Sequence, residues 1–199
     1  MAVTGTDVEA RRNKAFDQTH RDMIEMAVRL ISEKGADALS IVAVARALKV
    51  SRGTVYYHFK SREELLEGVK AWAAEQLARG MDPEWPMHER PAGIYRFVLE
   101  NPELIKLWID EFVAGKDIRD SYPAWDTLVA GMQKRFDTEL PEQEVDAEVY
   151  CSIMLTAAFI APRIYAANVR PDQTTDQVVA RFVKEQARVL ARDGLELPT

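Results

Sequence analysis

Between Asp37 and Glu63 the chain has no acidic residue, yet the interval holds Arg46, Lys49, Arg52, Lys60 and Arg62. Within it, Arg52-Gly53-Thr54-Val55-Tyr56-Tyr57-His58-Phe59 gathers hydrogen-bond donors and aromatic rings without one carboxylate. Phosphate oxygens and many base-edge atoms accept hydrogen bonds and repel carboxylates, so this set suits contact with nucleic acid. Other chemistries lack their residues. His20 and His88 stand far apart with no ligand-like spacing, so no metal site is expected. Cys151 sits alone among apolar neighbours and reads as packing rather than as a nucleophile. There is no paired acid and base and no phosphate-cradling glycine loop, so neither a catalytic residue nor a cofactor is expected.

The charge distribution sharpens this reading. The 199 residues carry a net charge of -6, which by itself disfavours a polyanionic partner. Residues 1–70, however, hold 12 Lys and Arg against 10 Asp and Glu, while residues 71–199 hold 14 against 22. A small basic module on an acidic body is the pattern expected of a DNA reader. An apolar share of 47% excludes a mainly disordered chain, and a lone cysteine excludes an internal disulfide framework. The opening residues lack the features of a signal peptide. The apolar run from Val149 to Ala161 falls short of the roughly 20 residues that span a bilayer, so no membrane partner and a cytoplasmic location are expected.

The elements that would position the basic residues are helices. Ile24, Ala27, Val28 and Ile31 follow helical spacing and Gly35 supplies a stop, which predicts a first helix over 17–34. Ser40 caps a second, with Ile41, Val44, Ala45 and Leu48 on one face. Ser51 caps a third over 52–59, and Ser61 with Glu64 forms a capping box opening a fourth, whose apolar face is Leu65, Val69, Trp72, Ala73 and Leu77. Pro83, Pro86 and Pro91 mark a linker between Gly80 and Pro91, with a hinge near Gly80. Beyond it, Asn101-Pro102 and Thr174 with Gln177 read as helix starts. Helices are predicted over 92–100, from Pro102 to Gly115, and over 123–139, 143–168 and 174–193. The fold class is all-α, with no strand pattern and no internal repeat. Two short helices joined by a three-residue turn must lean on a third. That arrangement is a tri-helical helix-turn-helix, with Val55 and Phe59 facing inward and the start of the third helix free to enter a major groove.

The stretch from Ala47 to Leu66, with its Tyr-Tyr-His-Phe run and its Ser-Arg-Glu-Glu-Leu opening, resembles the helix-turn-helix of the TetR family, and the likeness extends over about residues 17–77. The resemblance implies a homodimeric transcription regulator, usually a repressor, that binds a double-stranded DNA operator and is released by a small-molecule effector. It implies that Arg52 and Thr54 reach base edges or phosphates beside Gly53, and that Tyr56 and Tyr57 touch the backbone or thymine methyls. His58, Lys60 and Arg62 would hold phosphates, and Ser40 would add a cap and a phosphate contact. Some members place a base-reading arginine near the start of the second helix; here Val42 and Ala43 stand there, so readout rests more heavily on Arg52. Residues 1–16, with Arg11, Arg12 and Lys14, would form a flexible basic arm that reaches into the minor groove.

Residues 78–199 would form a helical regulatory and dimerisation domain. Ala147 to Ala167 is apolar on nearly every helical face and needs cover on all sides, which predicts a dimer bundle shared with Val178, Val179, Phe182, Val183 and Val189 or Leu190. Pro162 would kink this helix or open its ladder at Ala158. Trp108, Phe112, Trp125, Met132, Phe136, Met154, Phe159 and Tyr165 are candidates to line a pocket for an apolar or aromatic effector, with Asp110, Glu111, Arg163 and Asn168 as orienting groups. Two other readings stand beside this one. One is an all-α ligand-binding carrier or enzyme with an incidental basic segment, and the other is an architectural DNA binder without a ligand. Tyr56 and Tyr57 sealed inside the protein would contradict the DNA-reading assignment.

Overall fold

The computed structural model describes residues 5–79, 90–115, 117–122 and 124–195, and among them every regular element is helical. The linker residues Pro83 and Pro86, His88 and the hinge at Gly80 lie outside the described residues, as do the side chains of Arg11 and Arg12. The chain divides into two compact units, Met1–Trp72 and Ala73–Thr199.

In the first unit, α1 (Gly5–Lys34) buries Met23, Ala27 and Ile31 completely, and Gly35 ends it at φ 79°. A single 3₁₀ turn, Ala36–Ala38, leads to α2 (Ile41–Leu48), whose Ser40 cap accepts the Ala43 amide at 3.1 Å. The next helix, α3 (Arg52–His58), is capped by Ser51, which accepts the Thr54 amide at 3.0 Å. Then α4 (Arg62–Arg79) starts where the Ser61 hydroxyl accepts the Glu64 amide at 3.1 Å. The Glu64 carboxylate reaches one residue further back than a capping box requires, to the Lys60 amide. The packing is close at Gly68, where a Cβ would lie 3.2 Å from the Phe59 ring and 3.5 Å from Ile24. The first helix begins twelve residues before the predicted start. Asp7 to Phe16 contains Glu, Ala, Arg and Lys with no glycine or proline, so helix propensity carries the helix back through the expected flexible arm.

The second unit comprises α5 (Arg90–Glu100), α6 (Pro102–Val113), α7 (Ile118–Ser121), α8 (Trp125–Glu139), α9 (Ala147–Ile164) and α10 (Thr175–Arg192). Pro91, expected in the linker, lies in the first turn of α5, where its missing N–H has no intrahelical partner to lose. Asn101 precedes α6 without capping it, because its side-chain amide donates instead to the Phe97 carbonyl at 2.9 Å. Asp146 accepts the Val149 amide at 3.0 Å and starts α9 four residues later than the apolar pattern suggested. The capping box of α10 is complete, with Thr174 and Gln177 bonded in both directions.

Packing in this unit is layered. α9 lies against α5 and α8, and α10 lies against α5. Tyr95 of α5 donates to Gln186 of α10 at 2.9 Å, and burial pushes its phenol up to about 12. Pro162 sits within α9, and the helix widens just beyond it into a π turn over Tyr165–Val169, closed by the Arg170 amide on the Tyr165 carbonyl at 2.8 Å. With this turn included, Ala147–Val169 is long and apolar enough to cross a membrane, which corrects the expectation that the segment falls short. One face of the segment is nevertheless packed within its own unit, through Cys151, Phe159 and Pro162. Val178, Val179 and Leu190 are also buried inside the subunit, while Phe182, Val183 and Val189 of the same helix are half-buried.

Candidate nucleic-acid interface

A helix of seven residues is marginal alone, so α3 depends on the side chains it buries. Val55 is fully buried, and Phe59, just past the helix end, is 2% exposed and stacked on His20 of α1 with ring centroids 4.4 Å apart. With Val55 and Phe59 turned inward, Arg52 and Gly53 are exposed, and Tyr56 and Tyr57 are 49% and 68% exposed. The observation that would have contradicted the DNA-reading assignment is therefore absent. Thr54 is half-buried, its hydroxyl sharing a 2.8 Å hydrogen bond with Ser51. A Cβ on Gly53 would meet only the Ser51 hydroxyl, at 3.6 Å, so the fold itself does not demand glycine there.

Four of the residues named from the sequence have work inside the fold. Arg62 is half-buried, and its guanidinium donates to the Leu39 carbonyl through Nε and to the Ala36 carbonyl through Nη2, each at 2.9 Å. It ties the start of α4 to the turn before α2, so the guanidinium expected to hold a phosphate has a positioning role within the fold. His58 stacks on Phe16 at 4.2 Å and lies 5.6 Å from His20, and no hydrogen bond reaches its buried Nδ1. Burial, then the neighbouring His20 and Lys60, hold its pKa below the ordinary histidine value. The ring thus packs against α1 in surroundings that disfavour its charged form. Lys60 is exposed and its Nζ donates to the Tyr56 and Tyr57 carbonyls at 3.3 and 3.4 Å, which places positive charge at the C-terminal end of α3. The Ser40 hydroxyl is engaged as the α2 cap.

Sequence reasoning missed Phe16, which packs edge-on against Tyr57 at 5.5 Å as well as on His58. Extending the first helix by its propensity rather than by its apolar spacing alone would have found it. Among the described residues no group of three or more His, Cys, Asp or Glu could hold a metal. Cys151 is buried, and burial pushes its thiol up to about 11, so it stays protonated and unreactive near neutral pH.

The residues expected to line an effector pocket are distributed through the core. Trp125 packs with Tyr122 and Cys151, Phe136 belongs to a separate cluster with Leu190 and Leu195, and Met132 borders both. Trp108 meets Phe112 and Phe159, while Tyr165 meets Phe182. Neither these residues nor Met154 line the two grooves described in the second unit. Large side chains fill space by packing on one another, and in this fold they do so. One groove, of about 470 Å³, instead runs between the end of α5, α6 and the end of α9. It is lined by Leu99, Ile109, Ile160 and Ile164 together with Arg163 and Asn168. Arg163 donates to the Pro102 carbonyl at 2.6 Å, and Asp110 and Glu111 are absent from the lining.

Comparison with known proteins agrees with the helix-turn-helix. The family of bacterial regulatory proteins of the tetR type matches residues 23–69. The regulator AcrR of Shigella flexneri is 34% identical over 61 residues, covering 30% of this chain and 28% of that protein. A Bacillus subtilis regulator matches over 33% of its length, so the chain spans about a third or less of these two relatives. An HTH-type transcriptional repressor of Mycobacterium tuberculosis is 24% identical, with 84% of this chain and 87% of that protein covered. A crystal structure of a TetR/AcrR-family regulator from Thermobifida fusca superposes with a TM-score of 0.61 at 21% identity, over 84% of this chain and 95% of that one.

The role of Arg62 is open to a direct measurement. Arg62→Gln should lower unfolding stability by about 2 to 3 kcal/mol, because two charge-assisted bonds are lost and two carbonyls are left without their donor. The salt dependence of DNA binding should be retained. A variant that melts like wild type but binds with a shallower salt dependence would return Arg62 to the phosphate role.

Proposed function

We propose that this chain, whose residues 23–69 match the tetR family of bacterial regulatory proteins, is a DNA-binding transcriptional regulator of that family acting as a homodimeric, effector-released repressor. The observation that carries this reading is the outer face of α3, where Arg52, Tyr56 and Tyr57 stand exposed in an interval free of carboxylates while Val55 and Phe59 hold the helix from behind. A repressor is favoured because two of the matched relatives, from Mycobacterium tuberculosis and Staphylococcus epidermidis, are named as a repressor and a negative regulator. Arg52 reads base edges in this proposal, Tyr56 and Tyr57 contact the backbone or thymine methyls, and Lys60 supplies positive charge near a phosphate. A carrier or enzyme finds no support in the chemistry of the site.

Dimerisation is supported by α9. Val149 and Ile153 are 54% and 62% exposed and share one helix face with exposed Ser152, Thr156 and Ala157. A second copy seated on this face would cover the apolar surface and present two α3 helices to two half-sites of one duplex. The effector fits the groove beside Arg163. Its wall is mainly aliphatic, and Arg163 has no carboxylate partner there, so a small apolar acid is the ligand of matching chemistry. Release follows if the acid binds better to the dimer conformation that does not fit the operator, a coupling of typically about 1 to 3 kcal/mol.

Three measurements test the parts separately. Arg52→Ala should weaken binding to a duplex selected by the wild-type protein by about 1 to 3 kcal/mol, and an unchanged affinity would remove α3 from its role. Ile153→Glu should convert dimer to monomer in sedimentation with helix content preserved, whereas persistence of the dimer would place the interface elsewhere. In thermal melts octanoate or benzoate should stabilise the wild type and leave Arg163→Ala unshifted. A shift of equal size in both proteins would move the effector out of this groove.

A further inference from the structure

The turn between α2 and α3 contains the one non-glycine residue with positive φ among the described residues, Lys49 at φ 57°, ψ 37°. Its geometry closes α2: the Lys49 amide donates to the Arg46 carbonyl at 3.3 Å and the Val50 amide to the Ala45 carbonyl at 3.0 Å. This is the pairing of a left-handed helix stop, a position that glycine fills without steric penalty and that a Cβ disfavours. Gly35, Gly115 and Gly194 occupy positive φ elsewhere in the chain, so lysine at position 49 is an exception to the chain's own practice.

Backbone geometry therefore does not account for the side chain. Packing does not account for it either, because Lys49 is exposed and no hydrogen bond or ion pair to another described residue holds its ammonium. Nor is it needed as the basic residue at the C-terminal end of α2, since Arg46 already lies in that last turn. Lys49 stands two residues before the Ser51 cap and three before Arg52, in the interval that contains no acid. We infer that Lys49 is a DNA-phosphate contact of this protein, a strained turn residue kept for its charge at the entrance to α3. An ammonium on a flexible stem is a point charge suited to a phosphate and poorly suited to discriminating bases, so the contact adds affinity rather than sequence preference. The inference rests on the proposed DNA-binding reading and adds a residue to it.

The test compares wild type, Lys49→Gly and Lys49→Arg on 30-bp duplexes that the wild-type protein selects from a random pool. Lys49→Gly should melt at or above the wild-type temperature, because the left-handed strain is relieved. Its plot of log affinity against log salt should be shallower by about 1.8 for the dimer, about 0.9 for the counterion that each of its two Lys49 side chains releases. The loss of affinity should be similar on all selected sequences, and Lys49→Arg should keep the wild-type slope. A wild-type slope in Lys49→Gly would overturn the inference while leaving the DNA-binding reading intact. Failure of the wild type to select or bind any duplex would remove both.

Discussion

The structure of the N-terminal unit depends on the burial of Val55 and Phe59. A helix as short as α3 gains too little from its own hydrogen bonds to persist, so its order is borrowed from the surfaces on either side. Phe59 supplies much of that order, stacked on His20 of α1 and approached closely by α4, where a Cβ at position 68 would lie 3.2 Å from its ring. Because the inward face is occupied by these two residues, the remaining side chains of α3 are directed outward together. The exposure of Arg52, Tyr56 and Tyr57 follows from the same packing that makes the helix stable.

Much of the charge around this helix turns out to be structural. Arg62 donates its guanidinium to two backbone carbonyls, which fixes where α4 begins relative to the turn before α2. Burial and neighbouring charge hold the His58 pKa below the ordinary histidine value, and Lys60 lies over the last carbonyls of α3. Several basic residues of the acid-free interval therefore also have work within the fold. Arg46, Lys49 and Arg52 are exposed at the end of α2, in the turn and at the start of α3, and Lys60 is exposed just beyond α3.

The second unit shows a different balance. Its aromatic residues satisfy one another in several small clusters, and that leaves the apolar surface along α9 as its main unsatisfied feature. An exposed stripe of this kind on a helix otherwise packed into its own domain is the physical requirement that a partner copy would meet. The π turn after Pro162 shapes the other end of the same helix, where Arg163 enters a groove of aliphatic side chains.

Periodicity and caps were enough to determine the all-α class, the short helices 41–48 and 52–58, and the identity of the outward side chains on α3, because each of these is set by residues within one or two turns of each other. The start of α1 was legible only through propensity, which gives no sharp boundary. Which basic side chains are free, and which large apolar ones line a cavity, could be decided only by the tertiary structure. Arg62 meets Leu39 across 23 positions and Ala36 across 26, and Trp108 meets Phe159 across a turn of the chain longer still. Pairings of that kind depend on how helices cross, and local spacing carries no record of the crossing.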